Sequence, residues 1–233
     1  MPHQEEPALV LASASPRRRE LLRYLGVSFE AVATTGEEQQ SAVPDQIIEA
    51  LPPFPLDLLQ HPTLLAWRKV NAAAEEGYRP VLLGADTIVV IDGEILNKPR
   101  DAADARRMLA RLAGRTHTVY TGVVALDVRD HRPPLMDLVR SDVTMAAVTR
   151  QEIADYVASG EPLDKAGAYG IQGLGGRLVQ RVEGSYTAVV GLPLVTVHRL
   201  LRDMEIPHLV EPADAFRQWL TDQGKEVPAW TIP

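Results

Sequence analysis

Between Val81 and Ile91 the chain runs Val-Leu-Leu-Gly-Ala-Asp-Thr-Ile-Val-Val-Ile, with only Asp86 and Thr87 polar. A run so rich in β-branched residues, and well short of the roughly 20 residues that span a bilayer, reads as a buried strand. A bare carboxylate in such a strand costs several kcal/mol or drives its own pKa upward. It persists only beside a cation, a metal or a hydrogen-bond network. Asp86 is therefore either a structural residue at a strand end or bulge, or part of a reactive site.

Around this run the pattern alternates strand-like and amphipathic helical stretches, the mark of an α/β protein. Strands are predicted at 8–12, 29–34, 81–91, 94–96, 116–128, 135–148 and 177–182. Ser15 and Pro16 supply an N-cap and first helical position for a helix over 17–25 stopped by Gly26. Further helices are predicted over 62–76, from the Asp101 N-cap to about 113, from a Thr149/Glu152 capping box to Gly160, and over 193–204. Asp92-Gly93 marks a tight hairpin. Residues 36–61, with four prolines and no clean period, read as a long loop with room for one helical turn and a candidate lid. No element is assigned beyond Glu205. The division is one domain over 1–204, followed by a C-terminal extension over 205–233.

The net charge of -7 excludes a general affinity for nucleic acid backbone, so any small anion needs a local basic pocket. With no cysteine there is no disulfide framework and no thiolate metal site. The acidic N-terminus lacks the positive charge of a secretory signal, and a cytoplasmic protein without membrane contact is expected. Only 4 of the 24 basic residues are lysines: Lys69, Lys98, Lys165 and Lys225. In so arginine-rich a chain, a retained lysine marks a place where a compact ammonium suits better than a planar guanidinium.

The segment Ser13-Ala-Ser-Pro-Arg-Arg-Arg19 joins two hydroxyls, several guanidinium groups and helix N-terminal amides, a receptor for phosphate oxygens. A triple arginine there opposes the helix dipole, so helix stability does not explain it. On the helix over 62–76, Lys69 lies about 40° from Leu65 and shares the apolar face. It must snorkel to an edge or meet an anion. The hairpin register opposes Thr87 to Lys98, placing that lysine near Asp86. The stretch Lys165 to Gly176 is glycine-rich and lets backbone approach a ligand. P-loop, dinucleotide, zincin and serine-hydrolase motifs are absent, and the histidines are scattered.

In order, Ser13-x-Ser-Pro-Arg-Arg, the Glu37-Glu38 pair, Lys69, Gly84-Ala-Asp-Thr-Ile-Val, Asn97-Lys-Pro, Thr121-Gly and Asp164-Lys-Ala-Gly-Ala-Tyr-Gly-Ile-Gln-Gly resemble the Maf family of nucleotide pyrophosphatases. The resemblance runs from about Leu9 to Leu201. It implies a fold like that of inosine-triphosphate pyrophosphatases: a long twisted mixed sheet flanked by helices, two lobes with a central cleft, and often a homodimer. It also implies cleavage of a nucleoside triphosphate to the monophosphate and pyrophosphate with Mg²⁺ or Mn²⁺. Asp86 would then be the proton acceptor, with Glu38 and Asp86 holding the metal and Glu37 the alternative ligand. Lys69, Lys98 and Arg18 would hold the phosphates, with Ser13 and Lys165 in the binding blocks. Arg17, Thr87 and Gln172 match the forms preferring dTTP and UTP. A nucleotide-sensing regulator of cell division with little turnover is the alternative function. Nucleic-acid binding through Arg17 to Arg19 is disfavoured by the acidic balance.

Overall fold

Strand β3 (Val81–Ile91) has no exposed residue along its length, and its neighbours explain its composition. The computed structural model describes residues 8–34, 42–78, 81–130 and 132–225. Within these, β1 (Leu9–Ala12), β2 (Glu30–Val32), β4 (Glu94–Leu96), β5 (Thr116–Asp127), β6 (Leu135–Met145) and β7 (Val179–Glu183) complete a seven-stranded sheet with β3. The order is β2-β1-β3-β5-β6-β7, with β4 also paired to β3. The β1 pairings with β2 and β3 are parallel and the rest antiparallel, so this is the mixed sheet that the family resemblance implies.

One edge of β3 is shared between two short strands. Pairing with β1 covers Val81 to Leu83, and pairing with β4 resumes only at Val89. Between them, residues 84–88 keep a ladder partner only in β5. The sheet is thus split on one side at Asp86, and the carboxylate sits at the mouth of that split instead of within a closed ladder. The strand remains buried on both faces elsewhere because helices cover both.

On one face α3 (Pro62–Glu75) packs Leu64, Ala66, Trp67, Val70 and Ala73 against Val10, Ala12, Leu82 and Val124. On the other, Leu9, Leu11, Leu83, Ala85, Val89, Val119 and Val123 meet side chains of α1 (Pro16–Tyr24), α4 (Ala102–Leu112), α5 (Arg150–Ala158) and α7 (Leu194–Asp203). Alternation along β3 therefore sends Asp86 toward α3 and Thr87 toward α1.

Two glycines let α3 approach the sheet. A Cβ on Gly84 would stand 2.7 Å from the Ala66 carbonyl oxygen, and one on Gly122 would stand 2.2 Å from the Thr63 nitrogen. Any side chain at either position would push the helix outward. Local signals hold as predicted. Ser15, Asp101 and Thr149 cap α1, α4 and α5, the last in a reciprocal box with Glu152. The Asp92-Gly93 turn has φ of 55° and 74°, and pairs Ile91 with Glu94.

Several expectations are corrected. The β4 ladder ends at Leu96, so Thr87 and Lys98 are not cross-strand partners. Strand β6 ends at Met145, after which Ala146 turns to bond both Gly114 and Leu178. Residues 45–49 form the short helix α2, in keeping with the helical turn allowed for in that loop, and 58–60 add a 3-10 turn. The His61 ring caps α3 through Nδ1, which accepts from the Thr63 nitrogen at 3.1 Å, while Nε2 donates to the Pro52 carbonyl at 2.8 Å.

The C-terminal region holds two helices that sequence reading left unassigned: α6 (Tyr186–Val190) and α8 (Pro212–Asp222). The second packs on α1 and buries Trp219 completely. Its Phe216 and Trp219 rings lie about 6 Å from Tyr186 (5.9 and 6.0 Å).

Candidate active site

The split in the sheet opens into a cavity of ≈ 970 Å³. Ser13, Arg17, Arg18, Lys69, Asp86, Thr87, Lys98, Lys165 and Gln172 all line it, which brings together every candidate residue within the described part of the chain. Glu37 and Glu38 lie outside the described residues. None of residues 42–61 lines the cavity. That part of the expected lid instead packs beside α3 and β5, with Ile47 buried there and the Phe54 ring 5.3 Å from Tyr120.

At the inner end, the apolar face of α3 delivers Lys69, only 5% exposed, to the carboxylate. Its Nζ donates to Asp86 Oδ1 at 2.7 Å and to the Ala85 carbonyl at 3.4 Å. The choice left open for this lysine is thereby decided: it meets an anion across the cleft. The Asp86 side chain is 16% exposed and faces the cavity, not packed hydrocarbon.

On the opposite face of β3 a second network holds Arg18. Its Nε donates to the Gly191 carbonyl at 2.8 Å, Nη1 to Ser13 Oγ at 3.4 Å and Nη2 to Thr87 Oγ1 at 3.3 Å. The Thr87 hydroxyl is 2.9 Å from that of Thr121, which in turn donates to the Ala188 carbonyl at 2.8 Å. The guanidinium is thereby oriented before any ligand arrives, which lowers the ordering cost of binding. Ser13 Oγ also accepts from the Ser15 nitrogen at 3.2 Å, fixing the turn that leads into α1.

The outer wall is built from residues 161–176, a series of 3-10 turns. Lys165 Nζ donates to Asp164 Oδ1 at 2.6 Å and to the Glu161 carbonyl at 2.5 Å, while Arg17 stands 3.7 Å from the other Asp164 oxygen. Asp164 thus links the start of α1 to this wall. Glu161 accepts from the Leu174 nitrogen at 2.9 Å, the Gly175 nitrogen at 3.2 Å and the Tyr156 hydroxyl at 3.0 Å. Burial alone would raise its pKa, but those donors and Lys165 outweigh it and hold the carboxyl below the usual range. Tyr169 lines the cavity and its hydroxyl lies 2.8 Å from His117 Nε2, joining the wall to β5. Gln172 presents a side-chain oxygen, Oε1, that is buried without a hydrogen-bond partner among the described residues.

Glu161, Asp164, Thr121 and Tyr169 were not singled out as functional from the sequence. Each sits inside or beside a motif that was, but its role depends on contacts that no spacing rule reports. Lys98 stands at the cavity with an exposed side chain, reached by the turn after β4 and not by strand pairing.

Among the described residues the lining carries five cationic side chains, Arg17, Arg18, Lys69, Lys98 and Lys165, against three acids, Asp86, Glu161 and Asp164. In a chain with a net charge of -7, this local excess of positive charge is a receptor for a polyanion. For a divalent cation, Asp86 is the described carboxylate at the inner end, and no cluster of three or more metal-ligating side chains occurs among the described residues. That donor set fits Mg²⁺ or Mn²⁺, hard ions that bind through one or two carboxylates and complete their shell with water and phosphate oxygens. Among the described residues no helix is long and apolar enough to cross a membrane.

The profile described as "Maf-like protein" matches residues 8–204. A dTTP/UTP pyrophosphatase of Shigella boydii serotype 4 is 50% identical over 196 residues, covering 83% of this chain and 91% of that protein. A dTTP/UTP pyrophosphatase of Escherichia coli O157:H7 has the same identity and coverage. Among solved structures, a dITP/XTP pyrophosphatase from Mycobacterium abscessus overlaps 85% of this chain and 98% of its own, at 16% identity and a TM-score of 0.40. The ordered motifs around Asp86 and the match across both walls of the cavity lead to one conclusion: this chain belongs to the Maf-like protein family.

Proposed function

We propose that this protein is a nucleoside triphosphate pyrophosphatase acting on dTTP, UTP or modified pyrimidine nucleotides in the cytoplasm. The observation that carries the reading is Asp86, facing the cavity at the split in the sheet beside an excess of cations delivered by α1, α3, the turn after β4 and the 161–176 wall. Relatives named as dTTP/UTP pyrophosphatases at about half identity support the substrate class.

In the reaction, a water oxygen forms a bond to the α-phosphorus while the bond from that phosphorus to the bridging oxygen breaks. Pyrophosphate leaves with the bonding electron pair, and the monophosphate remains. Asp86 accepts the proton of the attacking water. Lys69, Lys98 and Arg18 stabilise the charge that develops on the departing group. Asp86 and Glu38 would hold Mg²⁺ or Mn²⁺, which supplies charge neutralisation of the polyphosphate when bound. Lys69 Nζ lies 2.7 Å from Asp86 Oδ1, which places the ammonium where a phosphate oxygen beside that carboxylate would meet it.

Base choice is assigned to Gln172, with Arg17 and Thr87. The Gln172 side chain belongs to the cavity wall, and a carboxamide donates and accepts in one plane, as the N3–H and carbonyl edge of thymine or uracil requires.

The test is a panel of dTTP, UTP, dCTP and dGTP incubated with Mg²⁺, with and without chelator. Monophosphate and pyrophosphate should appear chiefly from dTTP and UTP and vanish with chelator. Orthophosphate as the product, or no product from any nucleotide, overturns the proposal. Replacing Gln172 with Ala should shift the ratios between nucleotides more than the overall rate.

A further inference from the structure

Of the four lysines, three belong to the motif blocks, and the fourth, Lys225, lies beyond the family match that ends at residue 204. The structure nevertheless brings it to the cavity wall. Its Nζ donates to the backbone carbonyl of Gln172, and its own nitrogen donates to the Leu220 carbonyl at 2.9 Å, which ties it to the end of α8. Partial burial lowers the Lys225 pKa, and the neighbouring carboxylates of Glu161 and Glu20 oppose that shift.

Helix α8 is itself firmly placed. Trp219 Nε1 and Gln223 Nε2 both donate to Glu20 Oε1, at 2.8 and 2.6 Å, and the Tyr24 hydroxyl donates to Asp222 at 2.9 Å. These contacts span about two hundred residues of sequence and lock α8 to α1, the helix that carries Arg17 and Arg18. Gln223 also lines the cavity. The backbone carrying Gln172 is consequently held from two sides. Glu161 takes the amides of Leu174 and Gly175, and Lys225 takes the carbonyl of Gln172.

We infer that the segment after residue 204 is a specificity element of the active site, in which Lys225 is a positioning residue that sets where the Gln172 carboxamide meets the base. The inference rests on the pyrophosphatase reading above. A charged donor on a flexible glycine-rich backbone removes alternative placements of the Gln172 side chain before substrate binds, so its benefit falls on selective binding rather than on the chemical step.

The experiment uses the full chain with Lys225→Met, which keeps the apolar stem, and Lys225→Arg, which keeps a charged donor. KM and kcat are measured for dTTP, UTP, dCTP and dGTP, beside melting temperature and hydrogen exchange of the amides of residues 173–175. For Lys225→Met the expected result is a rise of about tenfold in KM for dTTP, the scale of one charge-assisted hydrogen bond. With it should come kcat within about twofold of wild type, a fall of similar size in the dTTP-to-dGTP ratio of kcat/KM, and faster exchange at 173–175. Lys225→Arg should recover most of each change.

Unchanged KM and ratios in Lys225→Met overturn the inference, whatever the exchange rates. A uniform loss of kcat across the four nucleotides, or a lowered melting temperature with unaltered ratios, makes the segment a structural brace and overturns it too. A wild-type chain that turns over none of the four nucleotides removes the pyrophosphatase reading and this inference together. A working wild type with an unaffected Lys225→Met removes the inference alone.

Discussion

The two walls of the cavity are built on different principles. The inner wall, with Lys69, Asp86, Thr87 and Thr121, is carried by regular elements whose ladders and helix packing fix side-chain positions. The outer wall, residues 161–176, has no ladder of its own and is held by individual side chains, Glu161, Asp164, Tyr169 and Lys225. Regular structure suits the groups to which the proposed reaction gives the chemistry, because a misplacement of an ångström there is costly. A tethered loop suits the groups to which base choice is assigned in the proposal, since its tethers can vary without disturbing the sheet.

The comparison predicts that damage to the inner wall affects rate or folding, and damage to the outer wall affects selective binding. The largest effect belongs to Asp86→Asn, which should lower pyrophosphate release from dTTP roughly a thousandfold. Turnover within a few-fold of wild type would contradict the assignment of Asp86 as the base.

The next effect concerns the joint between the walls. His117 is 2% exposed, and burial pushes its pKa down to about 4 from the ordinary 6.5, with Asp142 opposing. The unfolded chain therefore binds a proton more readily than the folded one. The contribution is complete above about pH 6.5 and is lost as pH falls through 4, for a total of about 3 kcal/mol. Urea unfolding at pH 7.5 and pH 4.5 should show wild type losing more stability than His117→Gln. Equal losses in the two proteins would remove His117 from the acid response.

Third is Gly122→Ala. With a Cβ 2.2 Å from the Thr63 nitrogen, α3 must move away from β5, at a cost of about 2 kcal/mol in unfolding free energy. Because the same helix carries Lys69, turnover should fall with stability. Wild-type stability in this variant would mean that the close approach is dispensable.

The smallest effect is expected from Glu161→Gln, which keeps an acceptor but loses the charge behind the Leu174 and Gly175 amides. KM for dTTP should rise about fivefold, with kcat nearly unchanged. A drop in kcat at constant KM would place Glu161 with the inner wall and break the distinction drawn between the two.

Local rules made much of this legible in advance. The caps at Ser15, Asp101 and Thr149, the Asp92-Gly93 turn and the shared apolar face of Lys69 involve groups within a few residues of one another, and each appears as expected. The register argument for Lys98 failed because it extended a ladder past Leu96, where pairing stops. Helix α8 was missed because its meaning lies in distant partners: Trp219 finds Glu20, and Lys225 finds Gln172.

The sequence by itself determined the alternation of strands and helices, the order of the motif blocks and the residue types that must confront a polyanion, since periodicity, capping and charge act over short distances along the chain. Only the tertiary structure decided that β1 and β4 divide one edge of β3 and leave Asp86 at an opening, and that Lys225, just beyond α8, reaches the backbone of Gln172. Those facts depend on pairing and packing between segments far apart in sequence, where the energy resides in contacts that no local pattern records.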